Sequence, residues 1–112
     1  MVEYIEINDK KMPIKFGFNA LRHFSRETGI TINQMENLGN EMTFDVALVL
    51  IIAGLKEGAR AVKEDFNYTI DELGDDLDMD ITIIERCMAL FTEQLSGNQD
   101  KKRGGKKAKP KK

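Results

Sequence analysis

The last twelve residues of this 112-residue chain cannot contribute to a folded core, which limits where the fold can lie. The segment 101–112 contains eight basic residues and no acidic, aromatic or β-branched residue. It has too little apolar surface to offset the entropy lost on ordering, so we expect residues 99–112 to form a disordered, lysine-rich tail. The folded part is then a single domain, residues 1–98, with room for one modest core.

Charge is divided between these two parts. Residues 1–98 contain 9 basic and 18 acidic residues, a net charge of −9, whereas residues 99–112 contain 8 basic and one acidic residue, a net charge of +7. An acidic surface repels phosphate, so we expect nucleic acid to bind only through the tail, if at all. The basic residues of the tail are Lys101, Lys102, Arg103, Lys106, Lys107, Lys109, Lys111 and Lys112.

The N-terminal residues predict a β-hairpin. Residues 2–7 are mostly β-branched or aromatic and predict a strand, and residues 8–11 predict the turn. Apolar residues then alternate with others over 12–18, which predicts a second strand, and Pro13 places it at an edge because proline cannot donate to the ladder. A hairpin alone is marginal, so it must pack on the rest of the domain. Its free edges also leave pairing between copies open as a route to a homo-oligomer.

Three helices are predicted over residues 19–64. The first is capped by Asn19 and ends at Gly29, and a short one starting at Thr31 or Asn33 follows through residue 38. Thr43 caps the third, which runs to about residue 58 or 64. Gly54 inside it costs about 1 kcal/mol relative to alanine and indicates a close helix–helix contact or a kink.

Two further helices are predicted after residue 68. Thr69 and Glu72 form a capping box that opens a short helix to about residue 77. Asp80 or Asp78 opens the last helix, which we expect to end at residues 96–98. Its apolar stripe at three- and four-residue spacing is Ile81, Ile84, Cys87, Met88, Phe91 and Leu95. The predicted fold class is α+β, mainly α: an N-terminal β-hairpin followed by about four to five helices and a disordered basic C-terminal tail.

An acidic stretch in the second half invites comparison with a calcium-binding loop. Asp76, Asp78 and Asp80 have the one-three-five spacing of an EF-hand. That loop needs glycine at position six and a bidentate glutamate at position twelve, but Ile81 and Cys87 occupy these positions. We interpret the acids as belonging to two helix N-termini, where negative charge is favourable.

Catalytic, metal and cofactor-binding residues are not expected. His23 is the single histidine and is interpreted as a helix-surface or boundary residue, and Cys87, the single cysteine, as a small core residue. No apolar run is long enough to span a membrane. The sequence also lacks a signal peptide after Met1, so we expect a cytoplasmic protein. Since no catalytic set of residues is recognised, we do not expect an enzyme.

Several segments together resemble a known family. They are YIEI before the turn, MPIKFGFNALRHFSRETGITINQM after it, the apolar helix VALVLIIAGLKEGAR, and the capping box TIDELGDDLD with the final amphipathic helix. This arrangement, over residues 2–96, resembles the tail assembly chaperones of long-tailed bacteriophages, particularly those of Gram-positive hosts. The best local matches are FGFNAL…F…TG over residues 16–29 and AGL over residues 53–55.

The resemblance implies a function in the cytoplasm of the infected host cell. Such chaperones bind the long tape measure protein, keep it soluble, help to recruit tail tube protein around it, and are absent from the finished virion. Many are also made in a longer form by a programmed frameshift, for which adenine-rich lysine codons in the tail would be suited. The alternative role of the tail is to keep the protein soluble or to bind anions. The candidate partner-binding residues lie on the apolar helix: Val46, Val49, Leu50 and Ala53. The alternative function is a nucleic-acid-binding accessory protein that uses the basic tail.

Overall fold

A computed structural model of the protein describes the backbone of residues 2–31, 33–37 and 42–102, with every side chain in these ranges except those of 36–37 and 96–102. The described chain is α+β and mainly α, with an N-terminal hairpin followed by four α-helices, as predicted. The elements in chain order are β1 (Glu3–Ile7), β2 (Lys10–Ile14), α1 (Phe18–Thr28), a 3-10 turn (Asn33–Asn37), α2 (Phe44–Ala61), α3 (Ile70–Met79) and α4 (Thr82–Lys102).

The hairpin turns more tightly than predicted. Asn8 and Asp9 alone form the turn, both at positive φ (45° and 72°), and Ile7 pairs with Lys10 on either side of them. Asparagine and aspartate tolerate this left-handed conformation, and a two-residue turn of this kind matches the twist of the strands. The second strand therefore begins earlier than expected and ends at Ile14 rather than near residue 18.

Helix α2 lies against β2 with almost no space between their backbones. The backbone N–H of Lys15 donates to the Gly54 carbonyl oxygen over 2.9 Å. A Cβ atom at Gly54 would lie 2.5 Å from the Phe16 ring, and one at Gly58 would lie 2.4 Å from the carbonyl carbon of Pro13. The close contact predicted at Gly54 therefore exists, but it joins the helix to the hairpin rather than to another helix.

The core lies between the hairpin and the four helices. Each of these elements contributes buried apolar side chains, and the Phe16 and Phe91 rings meet edge to face with centroids 5.3 Å apart. The largest fully buried side chains are Phe16, Phe24, Ile7, Ile14, Leu50, Ile51, Leu55, Leu73, Ile83 and Cys87.

The helix starts agree with the sequence patterns except in α1. Thr43 accepts a hydrogen bond from the Val46 N–H over 3.2 Å, and Thr69 and Glu72 form the predicted capping box. Helix α1, however, begins at Phe18 with Gly17 as its N-cap and no side-chain cap. The predicted cap, Asn19, lies inside the first turn, where its side-chain oxygen instead accepts from Arg22.

The last helix differs from its prediction in its core-facing side and its length. Asp80 does open it, accepting from the Thr82 N–H over 3.1 Å. Ile83, not Ile81, enters the core, and Ile81 is 60 % exposed.

The helix continues through Lys102, past the end predicted at residues 96–98, so residues 99–102 of the predicted tail are helical. One glycine inside a helix costs only about 1 kcal/mol, which α4 tolerates at Gly97. The rest of the tail, residues 103–112, lies outside the described residues.

Alanine substitutions at two glycines should have opposite effects on stability. Gly58→Ala places a methyl group against the Pro13 backbone and should lower the free energy of unfolding by about 2 kcal/mol. Gly74→Ala is the matched control, because nothing lies within 4 Å of its Cβ position in α3; it should raise that free energy by about 0.5–1 kcal/mol. Urea denaturation measures both. Equal stabilisation by the two changes would contradict the close packing of α2 on β2.

Candidate functional site

Helix α2 is enclosed on most of its sides. Glu57 faces α1, where it meets His23, and Gly54 and Gly58 face the hairpin. Ile51 and Leu55 point into the core. Among the described residues, one strip along the length of α2 remains partly accessible to another molecule.

That strip is formed by Asp45, Val49, Ile52 and Lys56, which we call the outer face of α2. Their spacing of four, three and four residues puts them on one side of the helix. Asp45 and Lys56 are exposed, whereas Val49 and Ile52 are half-buried. At 1.5 Å per residue the face is about 16 Å long. It presents an apolar centre with a negative charge at one end and a positive charge at the other.

Two other apolar side chains extend this surface. Phe44, at the start of α2, is 73 % exposed, and Leu48 is half-buried one turn later. Large apolar side chains at the surface next to one another are typical of sites that bind proteins. The outer face therefore has the chemistry to pack against an apolar ridge of a partner helix.

The four predicted partner-binding residues do not form one accessible surface. Val46 and Val49 are half-buried, but Leu50 is 0 % exposed and Ala53 is 5 % exposed, both within the core. The prediction is therefore wrong for Leu50 and Ala53, because they lie on the part of α2 that the rest of the domain covers. Ile52 was not recognised from the sequence as part of this surface. The signal that identifies Ile52 is its spacing. It lies seven residues after Asp45 and four before Lys56, so it shares the side of the helix on which these two charged residues are exposed.

A buried carboxylate joins α1 to α2. Glu57 is 3 % exposed, and its Oε1 accepts from Nε and a terminal nitrogen of Arg60 over 3.0 and 2.8 Å. Its Oε2 lies 3.3 Å from Nε2 of His23, whose Nδ1 is 3.0 Å from the Arg26 guanidinium. Both ring nitrogens of His23 are thus engaged. His23 is a half-buried boundary residue, as predicted.

The pKa of Glu57 is set by two opposing effects. Burial raises it, but the hydrogen bonds and positive charge of Arg60, aided by His23, outweigh burial and lower the pKa below its ordinary value. Glu57 was not recognised from the sequence. An acid in an apolar helix three residues before an arginine was the available signal.

Asp76 joins α3 to the tip of the hairpin. Its carboxylate accepts from the Tyr68 hydroxyl, from Lys10 Nζ over 3.1 Å and from Asn8 Nδ2 over 3.3 Å. The Tyr68 hydrogen bond, followed by those of Lys10 and Asn8, lowers the pKa of Asp76. Burial and the neighbouring Asp76 carboxylate raise the pKa of Tyr68.

The interpretation of the aspartates with EF-hand-like spacing as helix N-terminal residues is wrong for Asp76 and Asp78, which lie in the last turns of α3; only Asp80 precedes a helix. Asp76 binds the hairpin, whereas Asp80 accepts from Thr82 and, over 3.1 Å, from Arg86. The hydrogen bonds with Thr82, and then Arg86, lower the pKa of Asp80. Within residues 2–31, 33–37 and 42–102, no group of three or more His, Cys, Asp or Glu side chains is placed to hold a metal ion.

Cys87 is a buried thiol in the core. Burial raises its pKa to about 12, so it remains protonated at neutral pH and is a poor nucleophile. This agrees with its interpretation as a small apolar core residue.

Comparisons with known proteins identify no relative of this chain. No protein-family model matches the chain, and no curated protein or solved structure is significantly similar to it. No helix in the described part of the chain is long and apolar enough to cross a membrane.

Replacing Glu57 should weaken the fold and change its response to acid. Glu57→Gln removes the charge that Arg60 and His23 bind, so the free energy of unfolding at pH 7 should fall by about 2 kcal/mol. The pKa of Glu57 is lower in the folded protein than its ordinary value of 4.5. Its contribution to stability is therefore present above pH 4.5 and is lost as the pH falls through the folded value.

The measurement is urea denaturation between pH 7 and pH 3. The variant should lose less stability than the wild type across this range, because it lacks the Glu57 contribution from the start. Glu93→Gln, at an exposed position of α4, makes the same change in charge and serves as the control. Equal losses for the two variants would contradict the role of the buried carboxylate.

Proposed function

We propose that this chain is a bacteriophage tail assembly chaperone of the kind it resembles. It binds the tape measure protein in the cytoplasm of the infected host cell, keeps it soluble and helps to recruit tail tube protein. The observation that carries the proposal, beside the resemblance, is the outer face of α2, which offers the half-buried Val49 and Ile52 on a helix whose other sides largely face α1, the hairpin and the core. No catalytic role is part of this proposal.

The charge of the domain supports the same function. A chaperone must cover apolar segments of its client and still remain soluble. The half-buried Val49 and Ile52 supply the apolar contact. The net charge of −9 on residues 1–98 keeps chaperone–client complexes apart by repulsion. A client helix with an apolar ridge fits the length and shape of the outer face.

A charge at the centre of the outer face should weaken client binding. Val49→Glu should raise the dissociation constant for the tape measure protein encoded in the same genome by at least about tenfold, or about 1.4 kcal/mol. Co-expression with that protein, followed by the soluble fraction of the client and by calorimetry of the complex, measures the effect. Thr92→Glu, at an exposed position of α4, adds the same charge elsewhere.

Thermal unfolding of both variants checks that the domain remains folded. If a folded Val49→Glu variant still solubilises its client as well as the wild type, the outer face is not the client site. If the wild type itself does not bind the tape measure protein, the proposed function is wrong.

The basic tail favours one alternative, a nucleic-acid-binding accessory protein. Six of the eight basic tail residues lie in residues 103–112, so deleting this segment leaves α4 complete and removes most of the positive charge of the tail. A chaperone that acts through α2 should bind its client undiminished after this deletion. DNA binding by the wild type that falls steeply with salt and disappears in the deletion variant, together with no client binding in either, would favour the alternative.

A further inference from the structure

The outer face of α2 is complementary to itself. Asp45 lies at its N-terminal end, Lys56 at its C-terminal end, and Val49 and Ile52 lie between them. When the order of these residues is reversed, an acid faces a base at each end and an apolar residue faces an apolar residue in the middle. Such a surface can pair with the same surface of a second copy about a two-fold axis, because Asp45 then meets Lys56 and Val49 meets Ile52.

We propose that a second copy of this chain occupies the outer face, with the two α2 helices antiparallel about a two-fold axis. Asp45 of each copy then faces Lys56 of the other, and Val49 faces Ile52. The dimer proposal depends on the proposed function in one respect only: both place a binding partner on the outer face of α2. Self-pairing keeps the apolar centre covered until a client helix displaces the second copy.

The spacing and the charges together determine the direction of pairing. Residues separated by four, three and four positions form the seam along which two helices pack side by side. A parallel arrangement would set Asp45 against Asp45 and Lys56 against Lys56, and such like-charge contacts are unfavourable. The antiparallel arrangement converts the same four charges into two ion pairs.

The hairpin offers a less suitable surface for self-association. On its β2 side, the Lys15 N–H is already bonded to the Gly54 carbonyl of α2. On its β1 side, Arg86 donates to the Glu6 carbonyl oxygen over 2.9 Å, and it would have to leave before another strand could pair there. The outer face of α2, by contrast, has exposed charges at both ends.

The length of the face predicts a weak dimer. About 16 Å of helix buries less than the roughly 1,200 Å² that stable interfaces bury in total. We therefore expect a dissociation constant in the micromolar to millimolar range, at which a client can compete.

Charge exchange between the two ends tests the arrangement on the full-length protein. Sedimentation equilibrium should show dimers of the wild type, and Asp45→Lys or Lys56→Asp alone should raise the dissociation constant at least about tenfold, because like charges then face each other. The double variant D45K/K56D restores both ion pairs and should dimerise like the wild type. An equimolar mixture of the two single variants should also dimerise, since every Lys of one then faces an Asp of the other.

Thermal unfolding confirms that each variant is folded. A wild type that remains monomeric at millimolar concentration overturns the proposal, as do single variants that associate like the wild type or a mixture that does not associate. These outcomes differ from a failure of the proposed function. A monomeric protein that solubilises the tape measure protein overturns only the dimer, whereas a charge-dependent dimer without client binding overturns only the chaperone function.

Discussion

The contact between α2 and the hairpin determines how the rest of the domain is arranged. Without side chains at Gly54 and Gly58, the helix approaches the backbone of residues 13–16 closely enough to accept the Lys15 N–H. The Phe16 ring then lies on Gly54 and meets Phe91 of α4 edge to face. A two-stranded hairpin is marginal alone, and this contact gives it a packed surface. It also sets the orientation of α2, which leaves Val49 and Ile52 half-buried between the exposed Asp45 and Lys56.

Polar contacts fasten the remaining elements to this unit. Asp76 holds the hairpin tip to α3, Glu57 holds α1 to α2, and Arg86 bridges β1 to the start of α4. Each carboxylate has a pKa below its ordinary value because it accepts hydrogen bonds from its partners. Glu57 and Asp76 therefore have structural roles, which the acidic composition alone does not indicate.

Local patterns predicted the elements well, and the contacts between elements poorly. The Thr43 cap, the Thr69–Glu72 capping box and the Gly29 stop depend on residues within one turn of each other, so they are visible in the sequence. The buried state of Glu57 depends on His23, which is 34 residues away, and no local pattern contains it. The same reason explains the error at the candidate site. Leu50 and Ile52 are equally apolar, and only the packing of neighbouring elements decides which of them is covered.

The bond between Phe16 and Gln94 has a consequence for synthesis of the chain. The Phe16 N–H donates to Gln94 Oε1 over 2.6 Å, across 78 residues, and the bonds from Asn8 to Asp76 and from Arg86 to Glu6 span 68 and 80 residues. The bonds that join Glu6 and Phe16 to α4 can therefore form only after the last helix has left the ribosome. Contacts of such long range are formed late and slow folding. Until then the nascent hairpin can already pack on α2, but the Phe16 ring lacks its edge-to-face contact with Phe91 and the core is incomplete.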